Sequence, residues 1–218
     1  MTVMSERTRI KICGISQAED AEAAVDAGAD AIGFVFHPPS PRHVSIEGAA
    51  ALARRLPPFV TPVGLFVNAR ADTIEAACAA VPNLVLQFHG DEEEAACAAS
   101  GRPYLKAARM APGFDLLDFA RRFSTAQALL LDTHAEGWGG SGKVFDWSLV
   151  PRAVPHRLVL SGGLHAANVA AGIQALRPWA VDVSSGVESS RGVKDAAAIR
   201  AFCDEVREAD SRIDASVS

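Results

Sequence analysis

Residues 158–186 read LVLSGGLHAANVAAGIQALRPWAVDVSSG. Two short apolar runs, 158–161 and 180–183, predict buried strands, and the alanine-rich stretch 167–176 between them predicts a helix. Nearly continuous apolar strands are typical of a parallel sheet whose faces are covered by helices. The segment therefore predicts a strand–helix–strand unit in which both strands run in the same direction.

The same alternation runs along the whole chain. The predicted strands are 9–13, 31–36, 62–67, 84–88, 104–107, 128–132, 158–161 and 180–183. The predicted helices are 17–27, 46–56, 71–81, 92–100, 116–123, 167–176 and 196–206, with a further short one near Trp147. Eight units in 218 residues leave about 27 residues each, near the lower size limit of a (β/α)8 barrel.

We therefore assign the chain to the α/β class, as a (β/α)8 TIM barrel in a single domain. The barrel is expected to span residues 9–208, between an N-terminal tail at 1–8 and a C-terminal tail at 209–218. A doubly wound open sheet is the main structural alternative, but no GxGxxG pattern follows the first strand. No Gly/Ser-rich linker or run of charges divides the chain.

Composition and charge exclude several classes of protein. Apolar residues make up 49% of the chain and the net charge is -5, whereas a disordered chain would lack apolar residues and a nucleic-acid coat would be basic. The N-terminus does not resemble a signal peptide, and no apolar stretch is long enough to span a membrane. The four cysteines lack zinc-site spacing. We expect a cytoplasmic protein with free thiols that binds neither nucleic acid nor membrane.

A cysteine and an aspartate end two of the predicted strands, at the edge where barrels of this kind carry their active sites. Cys13 ends strand one, and Gly14 behind it leaves room for a ligand. A thiolate there could act as a base or a nucleophile, although a lone cysteine is often only a small buried side chain. For the cysteines in predicted helices we expect only this structural role, as small buried side chains. They are Cys78, Cys97 and Cys203.

Asp132 follows the apolar run 129–131, so its carboxyl group is expected to be shielded from water, which suits a general acid. Anchoring a loop is the alternative role. The segment 133–143 that follows is long and rich in glycine, as active-site lids often are.

Strands seven and eight both run into glycines. Barrels often bind phosphate between these two loops, because glycines let backbone N–H groups approach an anion. Gly162, Gly163, Ser185 and Gly186 are therefore candidate phosphate ligands, with tight turns as the alternative.

Charged residues suggest two further contacts. Arg42 ends the proline-stiffened segment 38–42 and could present its guanidinium to a carboxylate, although such a residue by itself is more often a surface arginine. Lys11 shares the inward face of Cys13, so we expect a buried ion pair with Asp182 on the neighbouring strand eight. His37, His89 and Asp132 raise the possibility of a metal site, but they come from scattered strands without paired-ligand spacing.

Ten segments, taken in order, resemble the phosphoribosylanthranilate isomerase family of tryptophan biosynthesis. They are KICG (11–14), GFVF (33–36), SPR (40–42), GLFVN (64–68), QFHG (87–90), LDT (131–133), GGSGK (139–143), FDW (145–147), SGGL (161–164) and DVSSGVE (182–188). Phe88, Ser141 and Ser161 depart from the family's usual residues, and none of the three removes a charged or nucleophilic group. Segment 134–138 is less typical, which leaves the lid contacts open.

The resemblance implies an Amadori rearrangement of N-(5-phosphoribosyl)anthranilate. Asp132 corresponds to the family's general acid and Cys13 to its general base. Gly162, Gly163, Ser185 and Gly186 would hold the phosphate, and Arg42 would face the anthranilate carboxylate. The resemblance implies no metal and no organic cofactor. The partner is thus a phosphorylated small molecule, and the chain is a monomer or a homodimer.

Three other functions are possible on the same barrel. One is a metal-dependent sugar-phosphate epimerase with His89 and Asp132 as ligands, and another is a non-catalytic barrel that binds phosphate esters. The third, dual specificity for the aminoaldose of histidine biosynthesis, is disfavoured because strand one ends in Cys13 rather than in an acidic residue.

Overall fold

Eight parallel strands close into a barrel in the computed structural model, which describes residues 7–133 and 144–217. The strands are β1 (Arg9–Cys13), β2 (Ala31–Val35), β3 (Thr61–Phe66), β4 (Val85–Phe88), β5 (Tyr104–Met110), β6 (Ala128–Thr133), β7 (Arg157–Leu160) and β8 (Ala180–Val183). Each strand pairs with the next, and β8 pairs with β1, where Ile10 lies opposite Val181. The predicted (β/α)8 barrel is confirmed.

Helices cover the outside of the barrel. Within the described residues they are α1 (Ala18–Asp26), α2 (Ile46–Ala53), α3 (Ala71–Ala80), α4 (Glu94–Ala98), α5 (Leu116–Arg122), α6 (Ala166–Leu176) and α7 (Ala196–Val217). Single 3-10 turns occur at Trp147–Leu149 and Ser185–Val187, and a hairpin of β9 (Glu188–Ser190) and β10 (Val193–Lys194) precedes α7. None of the described helices combines the length and the apolarity needed to cross a membrane.

Small side chains allow the helices to pack closely on the barrel. Ala24, Ala49 and Ala77 are fully buried between helix and sheet. The same core contains larger side chains, such as the stacked rings of Phe36 and Phe66, whose centroids are 5.1 Å apart. The interior of the barrel holds a second, separate apolar cluster, because every other residue along a barrel strand points inward. Its buried members are Val63, Leu105, Ala107, Ala128, Leu130, Val159 and Ala180.

The predicted C-terminal tail at 209–218 is wrong for the described residues, because α7 continues to Val217. Ala209 and Ile213 are buried against the barrel, and burial of their apolar side chains stabilises the extra turns. The Asp210 carboxylate accepts hydrogen bonds from the Thr8 amide and hydroxyl, both at 2.7 Å. Thr8 is therefore fixed rather than part of a free tail, while residues 1–6 of the predicted N-terminal tail lie outside the described residues.

Helix α4 is shorter than the predicted range 92–100, and Glu92 lies in the loop before it. Its carboxylate accepts hydrogen bonds from the amides of Asn68 (2.7 Å) and Gly90 (2.9 Å), and it pairs with the buried Lys106 ammonium at 2.8 Å. Glu92 thus ties together the loops that follow β3 and β4, at the same end of the barrel as the polar strand ends.

Candidate active site

A pocket opens at the C-terminal ends of the strands. Its wall includes six of the seven predicted site residues, which are Cys13, Arg42, Asp132, Gly162, Gly163 and Ser185. Gly186 does not line it: its backbone packs so closely on the Leu164 carbonyl that a Cβ would lie 1.9 Å from that oxygen. The predicted lid segment lies, at 134–143, outside the described residues.

Cys13 ends β1 and is buried beside the Lys11 ammonium. Gly33 lies opposite Cys13 on β2, and the absence of a side chain there makes room for both groups. A Cβ at residue 33 would lie 2.8 Å from Cys13 Sγ and 3.1 Å from Lys11 Nζ. Local sequence therefore places a thiol and a cation side by side in the pocket wall.

The pKa of the Cys13 thiol is raised. Burial, which disfavours the thiolate, is the largest cause, and the Asp182 carboxylate acts in the same direction. The cations Lys11 and Lys194 oppose the rise without cancelling it. Cys13 is therefore mainly a neutral thiol at neutral pH, with two cations near enough to favour the thiolate when its proton leaves.

The predicted buried pair of Lys11 and Asp182 is confirmed. Lys11 Nζ donates to Asp182 Oδ1 at 2.7 Å, and both side chains are buried. Burial opposes charge on Lys11, but the attraction of Asp182 outweighs it, so the pKa of Lys11 is raised. The second carboxylate oxygen accepts the Ser161 hydroxyl at 3.2 Å.

Asp132, on β6, is buried and held by two contacts. Its Oδ1 accepts the Thr133 amide at 2.8 Å, and its Oδ2 lies 2.9 Å from His89 Nε2. The amide nitrogen of Gln87 lies 3.2 Å from His89 Nδ1. With that nitrogen donating to Nδ1, the neutral imidazole carries its proton on Nε2 and donates it to the carboxylate.

Arg42 reaches over the loop after β1, and its aliphatic stem covers Gly14. A Cβ on Gly14, whose φ is +81°, would lie 2.6 Å from Arg42 Cδ. The guanidinium donates to both carboxylate oxygens of Glu188, from Nε at 2.6 Å and from Nη2 at 2.9 Å. The Arg42 side chain is thus fixed in the pocket wall by an ion pair.

The two glycine-rich loops meet on one side of the pocket. Gly162 and Gly163 have φ of +79° and +66°, a region that disfavours other residues. A Cβ at residue 162 would also collide with Asp132 Oδ1, at 2.7 Å. In the described part of the chain, neither the Gly163 amide nor the Ser185 amide donates a hydrogen bond to a backbone carbonyl of another loop, helix or strand. The loops therefore bring backbone N–H groups to the pocket.

Several residues of the site were not predicted from the sequence. The sequence suggests His89 only as a metal ligand, whereas in the structure it forms a hydrogen bond with Asp132. No group of three His, Cys, Asp or Glu side chains suited to a metal ion occurs in the described ranges. The sequence indicates no role for Gln87, Glu188 or Lys194. Each is recognisable only through its spatial partner, which the periodicity of a single strand does not reveal.

A closed (β/α)8 barrel whose mouth joins a buried thiol, a buried carboxyl group and glycine-rich loops after β7 and β8 is typical of a barrel enzyme with its active site at the C-terminal ends of the strands. The family model for N-(5'phosphoribosyl)anthranilate (PRA) isomerase matches residues 10–205. The chain belongs to this family and is an isomerase, as the sequence predicts.

Relatives match over nearly their whole length. N-(5'-phosphoribosyl)anthranilate isomerase of Methylibium petroleiphilum is 69% identical over 210 residues, which cover 96% of this chain and 99% of the relative. A crystal structure of phosphoribosyl anthranilate isomerase with reduced 1-(o-carboxyphenylamino)-1-deoxyribulose 5-phosphate matches with a TM-score of 0.81, 39% identity and coverage of 92% and 99%. Monomers made from the dimeric Thermotoga maritima enzyme match with a TM-score of 0.82, 39% identity and the same coverage.

Proposed function

We propose that the chain converts N-(5-phosphoribosyl)anthranilate to 1-(2-carboxyphenylamino)-1-deoxyribulose 5-phosphate, with Asp132 as general acid and Cys13 as general base. The observation that carries these roles is that both side chains, from β1 and β6, line one pocket. The family assignment favours this reaction over a metal-dependent epimerase and over a non-catalytic phosphate-binding barrel. The test is the decay of substrate fluorescence on turnover, measured in the wild type and in variants of each residue.

In the first step the Asp132 carboxyl group protonates the oxygen of the furanose ring. The C1'–O bond breaks with its electron pair on that oxygen, and the nitrogen lone pair forms a C1'=N iminium ion. Proton transfer to the leaving oxygen lowers the barrier because an alkoxide would otherwise form. The iminium then serves as the electron sink for the second step, so the substrate itself supplies that function.

In the second step the Cys13 thiolate removes the proton from C2'. The electrons of the C2'–H bond form a C1'=C2' double bond, and those of the C=N bond return to nitrogen, giving a neutral enolamine. The enolamine tautomerises to the ketone when its hydroxyl loses a proton and C1' gains one. The neighbouring Lys11 ammonium and the positive iminium both favour the thiolate at the moment when it is needed.

In this proposal the acidic proton of Asp132 lies in the hydrogen bond between Asp132 and His89. In the arrangement described above, the Thr133 amide and His89 Nε2–H both donate hydrogen bonds to the Asp132 carboxylate. Gln87 offers the complementary arrangement, because its buried Oε1 has no hydrogen-bond partner among the described residues. Rotation of the amide would let Oε1 accept from His89 Nδ1–H, leaving Nε2 free to accept a hydrogen bond from the O–H of a protonated Asp132. Gln87 and His89 can therefore support both protonation states.

The substrate phosphate is assigned to the loops that follow β7 and β8. Gly163 and Ser185 line the pocket, and their amides can donate to phosphate oxygens without a basic side chain. This explains how a chain of net charge -5 binds an anion. Gly162 and Gly186 contribute by letting the two backbones approach closely.

Arg42→Ala tests the assignment of the anthranilate carboxylate to Arg42. A charge-assisted pair is worth roughly 1.5–3 kcal/mol, so KM is expected to rise by about 10- to 100-fold with a smaller effect on kcat. Steady-state kinetics of the purified variant give both constants. The exposed Arg121, which lies on α5, offers a matched control in Arg121→Ala. An unchanged KM in Arg42→Ala would remove the carboxylate role.

We also propose that the chain acts in the cytoplasm, because all four cysteines are free and buried, as expected in a reducing compartment.

We further propose that the chain forms a homodimer through the base of the barrel, which is the face at the N-terminal ends of the strands. Phe59, between α2 and β3, is 100% exposed and has φ of +74°, a strained conformation for a bulky residue. It lies at a cavity of about 400 Å³ at the base, whose lining includes the apolar side chains of Val63 and Leu105, and a second copy would cover the exposed Phe59 ring.

The dimer proposal predicts that Phe59→Ser gives a monomer. Removing the exposed ring takes away the apolar group that the contact would bury, so the molar mass in solution should fall to that of a single chain. Size-exclusion chromatography with light scattering measures it. Val193→Ser, at another partly exposed apolar residue, is the matched control and should leave the mass unchanged. A monomeric wild type would refute the proposal.

A further inference from the structure

The Arg42 guanidinium is oriented by the protein before substrate binds. Its Nε and Nη2 donate to the two oxygens of Glu188 in a bidentate ion pair, and the side chains are only 12% and 4% exposed. Two parallel hydrogen bonds fix the plane of a guanidinium as well as its position. They also occupy the Nε–Nη2 edge, so a ligand carboxylate in the pocket is left with the edge that carries Nη1.

Glu188 is in turn fixed by Lys194. The Lys194 ammonium donates to Glu188 Oε1 at 2.9 Å, and the Gly192 amide donates to Oε2 at 3.1 Å. Each carboxylate oxygen therefore accepts two hydrogen bonds. Burial raises the pKa of Glu188, but Arg42 and Lys194 outweigh it and lower this pKa to about 2, so Glu188 stays ionised.

Lys194 connects this ion pair to the strand ends that carry the reacting groups. Its side chain is fully buried, and its other hydrogen bonds go to the carbonyl and hydroxyl of Ser184, at 2.9 and 3.4 Å. The Ser184 hydroxyl donates to the Cys13 carbonyl at 3.0 Å. One chain of contacts thus links the hairpin β9–β10, the phosphate loop after β8 and the end of β1.

A purely structural role is a poor explanation for three buried charges at this place. Buried ion pairs contribute little to stability compared with apolar side chains of similar size, because desolvation offsets their attraction. Their benefit is geometric, since the direction of Arg42 is set and a net positive charge remains beside the pocket. That charge is what a carboxylate ligand requires.

We propose that Glu188 and Lys194 are positioning residues which make the enzyme specific for a substrate that carries an aromatic carboxylate. Their link to the substrate carboxylate runs through Arg42, so the proposal rests on the carboxylate role of Arg42 given above. Without them the guanidinium keeps its charge but loses its fixed direction. Affinity for the carboxylate should then fall, while affinity for the sugar phosphate should not.

The test compares two ligands that differ only in the carboxylate. One is reduced 1-(o-carboxyphenylamino)-1-deoxyribulose 5-phosphate and the other is its phenylamino counterpart, with Kd measured by calorimetry. For Glu188→Gln and Lys194→Met we expect the Kd of the first ligand to rise about tenfold and that of the second by less than about twofold. Lys194→Arg, which keeps the cation, should recover most of the lost affinity.

Two other outcomes overturn the proposal, and the Arg42→Ala variant shows whether positioning alone or the carboxylate role of Arg42 as well has failed. If Glu188→Gln weakens both ligands equally, or neither, while Arg42→Ala weakens only the carboxylate ligand, positioning is refuted and the role of Arg42 stands. If Arg42→Ala also fails to discriminate, both assignments are refuted. Glu188→Gln leaves Lys194 without its buried counter-ion, so thermal unfolding is measured alongside. Should that variant not fold, Glu188→Gln/Lys194→Met removes both charges and replaces it, with the same expected result.

Discussion

Cys13→Ser should lower kcat by about 10²- to 10⁴-fold and leave KM nearly unchanged, as expected for a group that acts in proton transfer. Serine keeps the shape of cysteine, so the close fit against Gly33 is preserved. Its hydroxyl is far less acidic than a thiol, and Lys11 cannot make it an effective base at neutral pH. Binding depends on other groups, because Arg42 and the glycine loops hold the two ends of the substrate in our proposal.

The control for this prediction is Cys78→Ser, on helix α3, where a buried cysteine lies outside the pocket. It should keep wild-type kcat and at most lose some stability. The decay of substrate fluorescence gives the rate for both variants under the same conditions. Near wild-type turnover by Cys13→Ser would eliminate Cys13 as the base, whatever the behaviour of the control.

Asp132→Asn should reduce kcat to a similar extent, again with little change in KM. The amide preserves the volume of the carboxyl group and can still accept the Thr133 amide, but it has no proton to give to the ring oxygen. His89 would remain beside it without the carboxyl group through which it acts. The furanose ring would then have to open without general acid catalysis, a loss typically of about 10²- to 10⁴-fold.

Asp118→Asn is the matched control, since Asp118 lies exposed on helix α5 away from the pocket. The same assay should give wild-type kinetics for it. Circular dichroism and thermal unfolding of Asp132→Asn establish that the barrel is intact. A folded Asp132→Asn variant with wild-type kcat would show that another group supplies the proton.

The barrel and the places of Cys13 and Asp132 in the pocket wall could be predicted because both depend on local pattern. Each strand is a short apolar run, and the last polar residue of a run falls at the edge where parallel strands end together. Cys13 and Asp132 follow directly from this rule, and Lys11 follows from the two-residue period of β1. The sequence also contains a signal for the helix beyond residue 208, because Val206, Ala209 and Ile213 continue the helical spacing of apolar residues in α7.

The partners of these residues could not be predicted, because they depend on contacts between distant elements. Arg42 and Glu188 are 146 residues apart in sequence and meet only because the loop after β2 and the hairpin after β8 lie over the same end of the barrel. His89 follows β4 and Asp132 lies near the end of β6, and these two strands are separated by β5. Their 2.9 Å contact depends on side-chain conformations that a single sequence does not specify.

The most direct test of the two-residue mechanism is the pH dependence of the residual kcat/KM in Asp132→Asn and in Cys13→Ser. A base must be deprotonated to act, and burial raises the pKa of the Cys13 thiol. A general acid must instead keep its proton, so in the wild type the two requirements oppose each other as the pH rises. Asp132→Asn removes the second requirement, so its residual kcat/KM should climb from about pH 6 toward about pH 9 as the thiolate fraction grows, and Cys13→Ser should show no such rise. A flat profile of Asp132→Asn over that range, or the same rise in Cys13→Ser, would contradict the assignment of Cys13 as the base.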